Sequence, residues 1–276
     1  MALAALAVGD GRLAAAQAPA AAGRGDASAV LAAARQALGG EKKLSGIKTL
    51  TASGRTRQVR GDNLVPIEFE LFLELPDKYV RQDEIPAQET GVTVAGFNGA
   101  DLVQDPPPPP MPALPPAAPG GAPMPPRPDP SAARVLTLKQ DFARLALGLF
   151  ATSFSSYPLT FTYVAEAQAP EGTADVIEGT GANGFTVRLF VSRDTHLPLM
   201  VSWVGAGGGR GMRGAPPARG PAPENRLYFA DYRDVSGVQL PFRVRRAVGA
   251  DTVEETTFDR FKVNAKIDPR RFEVRR

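Results

Sequence analysis

The sequence predicts an α+β fold built mainly from antiparallel strands. Apolar residues recur at helical spacing in two stretches, 27–38 and 130–151, and nearly everywhere else the apolar period is two. Turn signals such as Asn98-Gly99 and Asp234–Gly237 separate consecutive alternating runs, which is the mark of hairpins rather than of crossover units. One helix, a run of strands, a second helix and a longer run of strands is an α+β order.

The first helix is expected over Ala27–Leu38. Val30, Leu31, Ala34, Ala37 and Leu38 share a face, Asp26 or Ser28 can cap the start, and Gly39-Gly40 can end it. Strand character begins at Ile47. It is clearest over Ile67–Leu75, where Ile67, Phe69, Leu71, Leu73 and Leu75 alternate with Glu68, Glu70 and Glu74. Phe72 is the one apolar residue on the acidic side, so one face of this sheet is expected to be wet. Tyr79–Glu84 and Val92–Phe97 continue the pattern up to the Asn98-Gly99 turn.

Residues 105–130 then hold fourteen of the 27 prolines, which excludes helix interior and central strand there. The second helix starts near Pro130 and runs to about Ala151, with Val135, Leu138, Phe142, Leu145 and Leu149 as its stripe. Leu159–Tyr163, Phe185–Ser192, Leu199–Trp203, Arg226–Tyr232, Val238–Val248 and Val253–Phe261 read as strands. Residues 205–223, rich in Gly, Pro and Arg, interrupt them as a second insert.

Composition excludes several function classes. With no Cys, the chain has no disulfide, no thiolate metal site and no Cys nucleophile. With one histidine, any His-based triad or zinc site would rest on His196 alone, and its Thr-His-Leu-Pro turn supplies no partner. Glu254 and Glu255 are neighbours on a strand, so they point to opposite faces and cannot act as a joint acid–base pair. No cofactor, metal or catalytic residue is expected, and the protein reads as a non-enzyme. A net charge of +3 is too mild to imply a nucleic-acid partner, and the Gly/Arg run around Arg210 and Arg213 lacks interleaved aromatics.

Residues 1–20 combine the apolar run MALAALAV with Ala-x-Ala sites. They read as an export signal whose basic beginning is missing. No other apolar run approaches the roughly 20 residues needed to span a bilayer. The expected product is a periplasmic protein that does not itself span the membrane, with one domain over 27–276 carrying inserts at 105–130 and 205–223.

Four segments carry a resemblance. They are Leu38-Gly39-Gly40 followed by Ile47–Leu50 and Gly54, and the Phe190–Pro198 hairpin with its Asp194-x-x-x-Pro198 turn. The others are Tyr232-x-Asp234-x-x-Gly237-x-x-Leu240-Pro241, and the closing Asn264-x-x-Ile267-Asp268-x-x-x-Phe272. In this order they resemble the LolA/LolB-like superfamily of periplasmic proteins, which includes outer-membrane lipoprotein-sorting carriers. The resemblance implies a single curved antiparallel sheet, a half-open barrel, with helices covering its concave face. It also implies a non-catalytic carrier whose partner is a lipid or lipoprotein acyl chain. The alternative is an envelope-stress regulatory or structural module of the same fold that binds a protein partner, such as an envelope membrane protein.

On that reading Phe69, Leu71, Leu73, Phe97, Phe161, Tyr163, Leu189, Val191 and Trp203 are the candidates to line a hydrophobic-ligand cavity. Leu145, Leu149 and Phe150 are the candidate lid side chains. For each, ordinary core packing between sheet and helix is the alternative.

Overall fold

The computed structural model describes residues 25–86, 91–107, 129–169, 172–205 and 222–273. The expected export signal and most of both inserts lie outside these residues. Three helices, α1 (Ala27–Ala37), α2 (Glu41–Ser45) and α3 (Pro130–Phe150), accompany one sheet of twelve strands. β1 to β5 are Thr49–Arg60, Asn63–Glu74, Lys78–Glu84, Thr93–Asn98 and Asp101–Asp105. β6 to β9 are Thr160–Ala169, Gly172–Thr180, Thr186–Ser192 and Pro198–Val204, and β10 to β12 are Glu224–Val235, Val238–Val248 and Asp251–Val263.

The sheet order is β5-β4-β3-β2-β1-β12-β11-β10-β9-β8-β7-β6, antiparallel throughout. It is two meanders, β1–β5 and β6–β12, joined where β1 pairs with β12 from Leu50↔Val263 to Gln58↔Glu254. β5 and β6 are the two edges, and α3 lies in the connection between them.

The sheet is strongly curved, and α3 shows by how much. Phe142 packs its ring tilted against Tyr79 of β3 and edge-on to Phe97 of β4. Two residues on, Arg144 lies over Trp203 of β9. β3 and β9 are six strand spacings apart in the sheet, or about 29 Å if it were flat, against a helix diameter of about 10–12 Å. The sheet therefore rolls round α3 without closing, as an open half-barrel.

The local chemistry explains the ends of the elements. Asp26 caps α1 by accepting the Ser28 N–H, and Asp129 caps α3 through the Ser131 N–H. Gly39 and Gly40 carry the positive φ angles that turn the chain out of α1. Asp234 Oδ1 accepts the Gly237 N–H at 3.1 Å and fixes the β10–β11 turn.

Three elements differ from the sequence-based expectation. β7 carries no strict alternation, because Val176 and Ile177 are adjacent and both buried. α2 is a single short turn of helix that seals one end of the core with Leu44. The acidic face of β2 is not wet along its whole length. A 3-10 turn over Pro269–Phe272 folds back on it, and Phe272 makes a second small core with Phe72, Val80, Val94 and Val103. Arg271 stacks on Phe72 and donates to Gln82 Oε1, closing that patch.

Candidate functional site

The concave face changes character along its strands. At one end it is apolar: Leu50 and Ala52 of β1, Leu71 and Leu73 of β2, Leu240 and Phe242 of β11, and Phe258 and Phe261 of β12 form the main core with α3. Further along the same strand faces come Thr56, Gln58 and Arg60 of β1, Arg81 and Asp83 of β3, Arg246 of β11 and Glu254 of β12. Over this second end lies the first half of α3, presenting Ala133, Arg134, Thr137, Leu138 and Asp141. Between helix and sheet is a cavity of about 690 Å³, with Ile67, Ile85, Ala95 and Leu138 as its apolar surfaces.

A polar network holds the cavity wall. Arg81 donates to Asp83 Oδ1 at 2.7 Å and to Thr56 Oγ1 at 3.1 Å, with its guanidinium 4.5 Å from the Phe69 ring. Thr56 and Thr256 share a hydroxyl hydrogen bond of 2.9 Å, and Thr256 donates to Glu254 Oε1 at 3.4 Å. Burial works against the charge on Arg81, but Asp83 and Glu254 outweigh it and raise its pKa. Asp141 pairs with the buried Arg144 at 2.7 Å, and burial still raises the Asp141 pKa above the ordinary range. Arg144 in turn lies against Phe185 and Trp203 at 4.8 and 4.5 Å.

Arg246 also reaches the fully buried Asn225, whose amide donates to the carbonyls of Gly205 and Pro223. Asn225 thus clasps both ends of the second insert beside the cavity wall. The first insert ends at the N-terminus of α3, on the helix half that covers the cavity.

Most of the residues expected to line a ligand cavity sit in the main core. Phe69, Leu71, Leu73, Phe97, Leu189, Val191 and Trp203 are buried in the main core, with Leu149 and Phe150 of α3 packed among them. Phe161 and Leu145 are half-buried against the same core. Tyr163 stands on edge strand β6 and donates to Asp175 Oδ1 at 3.0 Å. None of the twelve is among the residues lining the 690 Å³ cavity. Phe69 is separated from the opening by the lining residue Arg81, whose guanidinium lies over its ring. His196 is exposed in the β8–β9 turn at φ 57°. Glu254 faces the cavity, and Glu255, on the other face of β12, lies across from Arg57 and Arg245.

This half-open antiparallel sheet rolled round one long helix has counterparts of known structure. Among solved structures it resembles LolA superfamily protein NE2245 from Nitrosomonas europaea, at 13% identity and a TM-score of 0.52 over 90% of this chain and 97% of that one. It also resembles a candidate outer membrane lipoprotein-sorting protein domain from Vibrio parahaemolyticus, at 8% identity and a TM-score of 0.50 with the same coverage of both chains. No family model and no curated protein matches the sequence. At these identities the likeness is one of fold. No helix among the described residues is long and apolar enough to cross a membrane.

Proposed function

We propose that the chain is a periplasmic, non-catalytic carrier for a lipid or lipoprotein acyl group, and that its ligand enters the opening between α3 and the concave sheet. The observation that supports this is the cavity of about 690 Å³ beneath the first half of α3, inside the roughly 300–1,000 Å³ range of small-molecule sites. Its apolar surfaces include the buried Ile67, two residues along β2 from the core residue Phe69. Each CH₂ of an acyl chain buried there would contribute about 0.8 kcal/mol.

A longer chain needs more room than the cavity offers. It would reach Phe69, Leu71 and Leu73 if α3, carrying Leu145, Leu149 and Phe150, moved off the sheet. In this reading residues 1–20 direct export, and the two inserts are additions to one LolA-like unit.

Native mass spectrometry of the protein purified from its own envelope is the test. Retention of acyl-bearing species, and displacement of a bound hydrophobic dye by the extracted lipids, are the expected results. A consistently empty protein from which lipid displaces no dye would overturn the reading.

A further inference from the structure

We infer that the ligand of this cavity carries an oxyanion, a phosphate or carboxylate group, held by Arg60, Arg134 and Arg246. The inference rests on the reading of the cavity as the ligand site and adds the polar half of the ligand to it.

Four arginines and three carboxylates line the opening. Two of the carboxylates are already engaged: Asp83 by Arg81 and Asp141 by Arg144, which stands behind the wall. Arg60, Arg134 and Arg246 then share the remaining carboxylate, Glu254, which accepts from Thr256, acts on Arg81 and lies across the β11–β12 ladder from Arg246. Among the described residues, Arg60, Arg134 and Arg246 have no carboxylate within 4.0 Å. Arg60 donates only to Gln58, and Arg246 only to Asn225 at 3.5 Å, the limit of a hydrogen bond.

The three come from different elements, the end of β1, the first turns of α3 and the end of β11. Arg246 lies near both Glu254 and Asp141, but guanidiniums in surplus over carboxylates around one semi-enclosed space are the usual means of binding phosphate or carboxylate, because the planar fork matches two oxygens at once. The surplus would repel a cationic ligand and leave a neutral one with unpaired donors. An apolar surface beside an oxyanion site fits an anionic amphiphile, and the charged part alone fits a free anion.

The test is isothermal titration with three probes: dodecyl phosphate, dodecyl maltoside and inorganic phosphate. It is run on the wild type and on Arg134→Gln, Arg60→Gln and Arg246→Gln. The first two variants alter exposed side chains and keep the test valid if Arg246→Gln fails to fold. Dodecyl phosphate is expected to bind best, with affinity falling about tenfold in each folded variant and declining with added salt. Dodecyl maltoside should be weaker and indifferent to the substitutions.

Equal binding of the two amphiphiles, unchanged in the variants, overturns the oxyanion inference and leaves the carrier reading standing. Arginine-dependent binding of inorganic phosphate, with no gain from the dodecyl chain, keeps the oxyanion site and overturns the acyl reading. Binding of none of the three overturns both.

Discussion

Single residues decide how closely the helix approaches the sheet. At Gly148 a Cβ atom would overlap the Phe229 ring of β10, and Tyr232 Oη donates to the Gly148 carbonyl at 3.3 Å and to Pro198 at 2.8 Å. Gly148→Val must push α3 outwards, and should cost about 1–3 kcal/mol of stability in urea unfolding. Tyr79 is a second probe of the same packing. Burial pushes its phenol up to about 12, against about 10 in an unfolded chain. An acid whose folded pKa is raised stabilises the fold below its unfolded pKa, and that contribution disappears as pH rises through the folded value. Phenolate absorbance should therefore show Tyr79 ionising late, with stability lost between about pH 10 and 12. Neither feature was legible in the sequence, where Gly148 reads as a weak point in a helix and Tyr79 as one strand residue among others. Both depend on which strand faces which turn of α3.

Among the elements, α3 divides into two unlike halves. From Phe142 to Phe150 nearly every residue is buried, and Arg35 of α1 donates to the Phe150 carbonyl at 2.9 Å. From Ser131 to Leu138 only Val135 is buried. Opening free energy follows local burial, so amide hydrogen exchange should be much faster over 134–139 than over 143–150. Equal protection along the helix would contradict this division. The helix itself was readable from its Val135–Leu149 stripe, and β2 from its strict alternation. β7 was not, since adjacent Val176 and Ile177 break the period and Thr173 and Asp175 make the segment look like loop. The Pro269–Phe272 turn was hidden for another reason: four residues have no period, and only Phe72 standing alone on an acidic face hinted that something covers it.

At the scale of the whole molecule, the half-barrel separates into an apolar end that is its core and a polar end that is its cavity. The apolar end was legible, because Phe69, Leu71, Leu73, Leu189 and Val191 announce a buried face by their spacing. In the structure they belong to one core cluster with residues of α3. The cavity wall was not legible, for the converse reason. Thr56, Arg81, Arg246 and Glu254 are polar residues on a strand face, which in one sequence look the same as a face turned to solvent. Only the curl of the sheet, set by pairings far apart in the chain, turns them inwards.

The junction of β1 with β12 has a consequence for how this chain reaches its native state. Of the eleven strand pairings, ten join strands that follow one another along the chain; only Leu50↔Val263 to Gln58↔Glu254 joins its two ends. Local pairings carry little loop-closure cost, whereas this one requires about two hundred intervening residues to be gathered first. Each meander can therefore assemble by itself, and the seam closes late. Until it closes, β1 and β12 are two more unprotected sheet edges, and the polar wall formed by Thr56, Thr256 and Glu254 does not exist. The cavity under α3 is thus expected to be the last part of the molecule to form.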